Sequence, residues 1–180
     1  KSMGVLLIVI LLAWLPLKAV GAESEYHCGT IPCDEFEAEP SDKISLQRGA
    51  KLFVNYCMGC HSAEYSRWGR VASDLKMPAG LVMDNLVFAD QKIGDLMKIA
   101  MTKKKGKQWF GAPPPDLTMI TRARTSEWVY TYLRHFYADP NRPMGVNNKV
   151  FKDVGMPHAL LDLQGLQECA PGPVVAANGG

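Results

Sequence analysis

The sequence predicts a mainly α-helical domain in which short helices are separated by long loops. Apolar residues recur at helical spacing between residues 44 and 56, and again between residues 128 and 136. Three consecutive prolines, Pro113 to Pro115, interrupt the chain between these segments, because proline lacks an amide donor and disfavours helix in the residue before it. The third observation is the run Cys57-Met58-Gly59-Cys60-His61, which directly follows the first helical segment.

This run has the pattern C-x-x-C-H, the attachment signature of a c-type haem. Each thiol can form a thioether with one haem vinyl group, and the adjacent histidine can supply an axial nitrogen to the iron. A redox-active C-x-x-C or half of a zinc site would fit part of the pattern, but the sequence has no second C-x-x-C to complete a zinc cluster. We therefore expect one covalently bound haem c, held by Cys57, Cys60 and His61.

The first 22 residues resemble a secretory signal peptide. Lys1 precedes an apolar run over residues 3–17, and small residues follow at 20–22. An uncleaved N-terminal anchor is the alternative interpretation, although the run is short for a spanning helix. Export would permit a disulfide between Cys28 and Cys33, which the sequence alone leaves open, and Cys169 would remain unpaired.

The rest of the chain divides into an acidic, irregular segment over residues 23–43, a haem domain over residues 44–168, and a linker or truncated end over residues 169–180. Within the domain we expect a first helix over about 44–56, capped by Ser41 or Asp42, and a second long helix from Thr125 to about 138. Short helices are expected over 81–88, 95–101 and 117–123. We expect a break at 103–106 and extended or irregular chain over 145–167.

Haem iron takes two axial ligands, and electron-transfer cytochromes commonly use methionine or histidine for the second. Met156 stands between a glycine, which allows close approach of the backbone, and a proline, which stiffens it. Met144 occupies a similar glycine- and proline-flanked turn, and His158 and His135 are further alternatives. The flanking residues favour Met156.

Charge is nearly balanced, with 20 Lys and Arg against 18 Asp and Glu, so nothing indicates binding to nucleic acid. The distribution is uneven, however. Residues 23–42 are acidic, whereas Lys103, Lys104, Lys105 and Lys107 form a basic cluster. Each run is either a solvated surface or a region that steers a charged redox partner, in which case association would depend on salt.

Four stretches of the chain resemble the cytochrome c1 family, the haem subunits of bacterial ubiquinol–cytochrome c oxidoreductase (bc1) complexes. They are SLQRGAKLFVNYCMGCHS, WFGAPPPDLTMITRAR, EWVYTYLRHFY and GVNNKVFKDVGMPHALLDLQG, and they lie within residues 44–167. The resemblance implies thioether links at Cys57 and Cys60, axial ligation by His61 and Met156, a haem-propionate partner at Arg124, and a haem-pocket wall at residues 113–116.

The same resemblance implies an electron carrier with no substrate-transforming site of its own. It would accept an electron from the Rieske iron–sulfur protein, stand beside cytochrome b, and pass the electron to a cytochrome c at the periplasmic face of the bacterial inner membrane. Family members end in a C-terminal membrane anchor, which we expect to be missing from this chain. A free periplasmic cytochrome shuttle, or a haem enzyme or gas sensor with an open axial position, are the alternatives.

Overall fold

The structure of this chain is a computed structural model that describes residues 27–168. The predicted signal peptide over residues 1–22, the leftover Cys169 and the predicted linker over residues 169–180 lie outside these residues. Seven α-helices and four short strands occur between residues 27 and 168, and helix predominates over strand as predicted. Over the same residues, no helix is both long enough and apolar enough to cross a bilayer.

In chain order the elements are α1 (Lys43–Leu52), a π-helical turn (Phe53–Cys57), β1 (Ala63–Arg67), α2 (Trp68–Asp74), α3 (Ala79–Leu86), β2 (Leu96–Met97), α4 (Lys103–Phe110), α5 (Ile120–Ala123), α6 (Ser126–Arg134), β3 (Phe136–Ala138), β4 (Val146–Asn148) and α7 (Leu161–Gln164). Strands β1 and β2 pair antiparallel, and so do β3 and β4.

Three helices begin with a side-chain cap. The Asp42 carboxylate accepts a hydrogen bond from the Ser45 amide (3.0 Å), and the hydroxyls of Thr102 and Thr125 accept from the amides three residues further on (3.3 and 3.1 Å). Each cap satisfies a first-turn donor that has no partner inside the helix. The caps predicted at Asp42 and Thr125 are thereby confirmed.

Three predicted elements are wrong. Residues 95–101 contain β2 rather than a helix, because Leu96 and Met97 pair with β1. The predicted break at residues 103–106 is instead the first half of α4. The helix expected to reach residue 138 ends at Arg134, after which β3 pairs with β4. In the first and third cases pairing with another strand decides the backbone conformation, and in the first case that strand lies more than twenty residues away.

Two apolar clusters form the core. The larger one contains the buried residues Val54, Ala63, Trp68, Ala72, Val82, Leu86 and Met97. The smaller one contains Phe136, Val146 and Val154, with Tyr132 and Met156 packed against it. The π-helical turn contributes Val54 to the first cluster, and Met156 packs against the second, so the chain leading into the motif and the Met156 loop belong to different parts of the core.

The irregular N-terminal segment packs along α6. Cys28 and Cys33 form a disulfide, which resolves the alternative left open by the sequence. The Asp34 amide donates to the buried Thr131 hydroxyl (2.8 Å), and the ring of Phe36 lies 5.0 Å from that of Tyr130. The acidic segment therefore packs against α6 and is not only a solvent-exposed run of charged residues.

Replacement of both Cys28 and Cys33 by serine is expected to lower the free energy of unfolding by about 2 kcal/mol, because opening so short a loop restores chain entropy mainly to the unfolded state. Urea denaturation followed by circular dichroism measures the change. Thr30→Ala, an exposed substitution inside the same loop, is the control. Equal midpoints for the double variant and the control would contradict the prediction.

Candidate functional site

The cysteine–histidine motif follows α1 through the π-helical turn. The Met58 amide donates to the Phe53 carbonyl (2.9 Å), and the amides of Cys60 and His61 both donate to the Cys57 carbonyl (3.1 and 2.9 Å). These bonds close a compact turn that brings two thiols and one imidazole together. Both thiols are free and half-buried.

His61 is buried, with 8 % of its surface exposed, and its Nδ1 lies 2.7 Å from the Pro115 carbonyl oxygen. A carbonyl can only accept, so Nδ1 carries the proton and donates it. The lone pair of Nε2 therefore remains available to a metal, in the arrangement by which proteins orient ligand histidines.

The proline loop that holds His61 is tied to the chain just after the motif. The Leu117 amide donates to the Ser62 carbonyl (2.9 Å), while the two carboxylate oxygens of Asp116 accept from the amides of Glu64 (2.6 Å) and Thr118 (2.9 Å). Burial raises the pKa of Asp116, but these hydrogen bonds, together with the nearby His61, outweigh it and hold the pKa below its usual value.

Met156 lies half-buried against the smaller core cluster. The Tyr132 hydroxyl donates to its sulfur at 3.4 Å. Burial raises the pKa of Tyr132 to about 12, so the phenol stays protonated at neutral pH and remains a donor. One lone pair of the thioether accepts this bond, and a second is left for a metal.

Two buried asparagines shape the loop that leads from β4 to Met156. Asn148 accepts at its side-chain oxygen from the amides of Val150 and Phe151 (2.8 and 3.3 Å) and donates to the Tyr132 carbonyl (2.8 Å). Asn147 accepts from the Asp153 amide (2.9 Å). These side chains form hydrogen bonds with backbone amides of the loop that have no partner in a β-ladder. The bond from Asn148 to Tyr132 also attaches the loop to α6.

Helix α4 contacts both halves of the site. A Cβ atom on Gly106 would lie 2.8 Å from Pro114 Cδ, so only glycine lets α4 approach the proline loop this closely. At the other end of α4, the Phe110 carbonyl oxygen would lie 2.6 Å from a Cβ on Gly155. Helix α4 thus joins the loop that holds His61 to the loop that carries Met156.

Arg124 lies at the start of a column of aromatic rings. Its guanidinium is 4.9 Å from the centre of the Trp128 ring, which stacks on Tyr132 at 5.1 Å. Tyr132 in turn reaches Met156. Between residues 27 and 168, no carboxylate lies within 4.0 Å of the Arg124 guanidinium.

The three alternative axial ligands have different surroundings. His135 Nδ1 lies 2.8 Å from the Thr131 carbonyl oxygen. His158 stacks on Phe136 at 5.0 Å, and its Nε2 lies 3.2 Å from the Gly165 carbonyl oxygen. Met144 is 38 % exposed.

The environment of the thiols does not favour the other two interpretations of the motif. Burial, and then the neighbouring Cys60, raise the pKa of Cys57, whereas a reactive redox cysteine needs a lowered pKa. A zinc site requires about four ligands, yet among residues 27–168 no three His, Cys, Asp or Glu side chains gather in a metal-binding group. The donor set fits a haem, which needs only the two thiols and His61 from this turn.

Sequence reasoning did not identify the supporting residues Ser62, Tyr132, Asn147 and Asn148. Tyr132 was visible only as part of the apolar face of a helix, and the two asparagines gave no periodic signal. Each of them also has a partner 6 to 55 positions away, which a local pattern does not reveal.

Comparison with known proteins identifies one family and two similar proteins. The sequence profile of the Cytochrome C1 family matches residues 35–167. A protein named cytochrome c1 from Allochromatium vinosum is 55 % identical over 132 residues, which cover 73 % of this chain and 54 % of that protein. A protein named ammonia monooxygenase gamma subunit from Nitrosomonas europaea is 46 % identical over 167 residues, which cover 93 % of this chain and 68 % of that protein. The chain thus spans about half the length of the first relative and about two thirds of the second.

Replacement of Asn148 by alanine is expected to destabilise the protein by about 2–3 kcal/mol, because it leaves buried amides of the Met156 loop without an acceptor. Urea denaturation measures the loss, and hydrogen exchange should quicken at the amides of Val150 and Phe151. Asn85→Ala, which removes only an exposed bond to the Leu81 carbonyl, is the control. Equal effects of the two substitutions would refute this role for Asn148.

Replacement of Asp116 by asparagine is expected to flatten the acid side of the stability profile. Because folding lowers the pKa of Asp116, the ionised carboxylate stabilises the fold above the unfolded value of about 3.9, and this stabilisation disappears as pH falls through the lowered pKa. Denaturation between about pH 6 and pH 2 measures the difference, with the exposed Asp90→Asn as control. Parallel stability profiles for wild type and Asp116→Asn would argue against this stabilising role of the Asp116 carboxylate.

Proposed function

This chain belongs to the cytochrome c1 family, and we propose that it carries one covalently bound haem c and transfers electrons as the cytochrome c1 subunit of a bc1 complex. The observation that carries the proposal is the motif turn, in which two free thiols adjoin a buried histidine whose Nδ1 is held by the Pro115 carbonyl.

Within this proposal, the sulfurs of Cys57 and Cys60 form the thioether links, and His61 presents Nε2 as one axial ligand. The bound haem supplies a reversible one-electron couple at its iron. The hydrogen bond to Pro115 keeps the His61 ring in one tautomer and one orientation, so the ligand need not reorganise when the charge on the metal changes.

Met156 is the proposed second axial ligand. Its half-buried sulfur accepts a hydrogen bond from a neutral Tyr132, and the close approach of Gly155 to Phe110 limits movement of the loop. A thioether ligand raises the reduction potential. This support favours Met156 over Met144, which lies more exposed in its turn.

Arg124 is proposed to pair with a haem propionate. Its guanidinium has a planar fork of donors that suits a carboxylate, and the Trp128 ring already holds it in place. The absence of a carboxylate partner within residues 27–168 leaves those donors available for the propionate.

The proposed partners follow from the family. The protein would receive an electron from a Rieske iron–sulfur protein, associate with a cytochrome b, and reduce a cytochrome c at the periplasmic face of the inner membrane. The name of the Nitrosomonas relative points instead to a monooxygenase subunit. With His61 and Met156 both bound, however, no axial position would remain open for dioxygen.

The decisive experiment is optical spectroscopy of the protein matured with haem, followed by a pull-down from its native membranes. A low-spin spectrum with a far-red ferric methionine band, and co-purification with a cytochrome b and a Rieske protein, would support the proposal. A high-spin spectrum would indicate an open axial site, and a low-spin protein without these partners would indicate a free shuttle.

Replacement of Met156 by leucine is expected to keep the haem covalently attached but abolish the far-red band and lower the midpoint potential by on the order of 0.1 V, within the roughly 0.8 V span that axial ligands control. Spectroelectrochemical titration measures the potential. Met119→Leu and Met144→Leu are matched controls, since both side chains are exposed. An unchanged midpoint in Met156→Leu would reject Met156 as the ligand.

A further inference from the structure

Helix α4 exposes an unbalanced positive surface. Its lysines, Lys103, Lys104, Lys105 and Lys107, are all exposed, and the helix contains no acidic residue. Within the part of the chain that the structure describes, no carboxylate lies within 4.0 Å of any of these ammonium groups. The charge of this surface is therefore not neutralised by neighbouring side chains.

The stability of α4 does not explain these lysines. Three of them lie in the first turn, where the positive end of the helix dipole disfavours cations. Lys103 and Lys107 are also a like-charge pair at a spacing of four residues, which is unfavourable in a helix. The cluster weakens the helix that holds it, which favours a role outside the fold.

The position of α4 connects this charge to the site. The buried Gly106 packs on Pro114, beside the carbonyl that holds His61, and the Phe110 carbonyl packs on Gly155, beside Met156. A protein that approaches the exposed face of α4 thus comes close to the proline loop that holds His61 and to the loop that carries Met156. Proximity to these loops is what electron transfer requires.

The same helix provides an apolar contact. Trp109 follows the lysines and is 56 % exposed. Protein interfaces commonly combine a central aromatic residue with a charged rim, and tryptophan is enriched among the residues that contribute most to binding.

We propose that the exposed face of α4 is the docking site for an electron-transfer protein with an acidic surface. The inference rests on the proposed function and specifies the chemistry of the partner: one electron leaves this protein, which is oxidised, and the docked partner is reduced by one electron. An acidic protein fits better than an anionic membrane, because the eight-residue α4 exposes a single large apolar side chain and has no apolar face to insert.

The test is a stopped-flow measurement of electron transfer from the reduced, haem-loaded protein to two soluble c-type cytochromes, one of acidic and one of basic isoelectric point. The variant K103Q/K104Q/K105Q/K107Q is compared with K92Q/K98Q/K149Q/K152Q, which removes the same number of exposed lysines elsewhere. Both variants are first checked for an unchanged haem spectrum and midpoint potential. Failure to load haem in the wild type would count against the proposed function, not against docking.

The α4 variant should reduce the acidic cytochrome at least about tenfold more slowly at low salt and lose most of the salt dependence, because local charge controls the encounter rate. The control variant should change the rate much less. Equal slowing in both variants, or no slowing in the α4 variant, would overturn the proposal. A third result would also overturn it: the α4 variant alone no longer binds phosphatidylglycerol vesicles, while its rate toward the acidic cytochrome is unchanged. That result would indicate that α4 binds a membrane.

Discussion

The hydrogen bond from His61 Nδ1 to the Pro115 carbonyl is the interaction on which the site depends. It joins the turn of the C-x-x-C-H motif to a loop more than fifty residues further along the chain. Consecutive prolines provide no amide donors that could hold their own loop in place. The loop is attached instead by Asp116 and Leu117, which form hydrogen bonds with the segment after the motif. These hydrogen bonds of the proline loop thus serve to orient one buried imidazole, that of His61.

The opposite half of the site is supported by α6. Tyr132 of this helix donates a hydrogen bond from its hydroxyl to the Met156 sulfur, and its carbonyl oxygen accepts one from the Asn148 side chain. Its outer side is braced by the N-terminal segment, where Asp34 binds Thr131 behind the disulfide loop. A soft, flexible thioether thus lies against a helix that the distant N-terminal segment supports in turn.

Helix α4 relates the two halves to each other. Gly106 and Gly155 mark the contacts, and in both places a Cβ atom would approach within 3 Å of a neighbouring atom. The helix also carries four lysines on its solvent side. The helix that contacts both the proline loop and the Met156 loop is therefore also the one that presents positive charge to solvent.

The sequence by itself determined the proposed haem-attachment motif, because Cys57, Cys60 and His61 lie within one turn whose spacing is local, and the caps at Asp42 and Thr125 are equally local. Tertiary structure decided the C-terminal end of α6, the strand character of residues 96–97 and the environment of Met156. Strand pairing, burial and the partners of a ligand side chain depend on residues brought together from distant parts of the chain, and the free energy of those contacts outweighs local helix propensity.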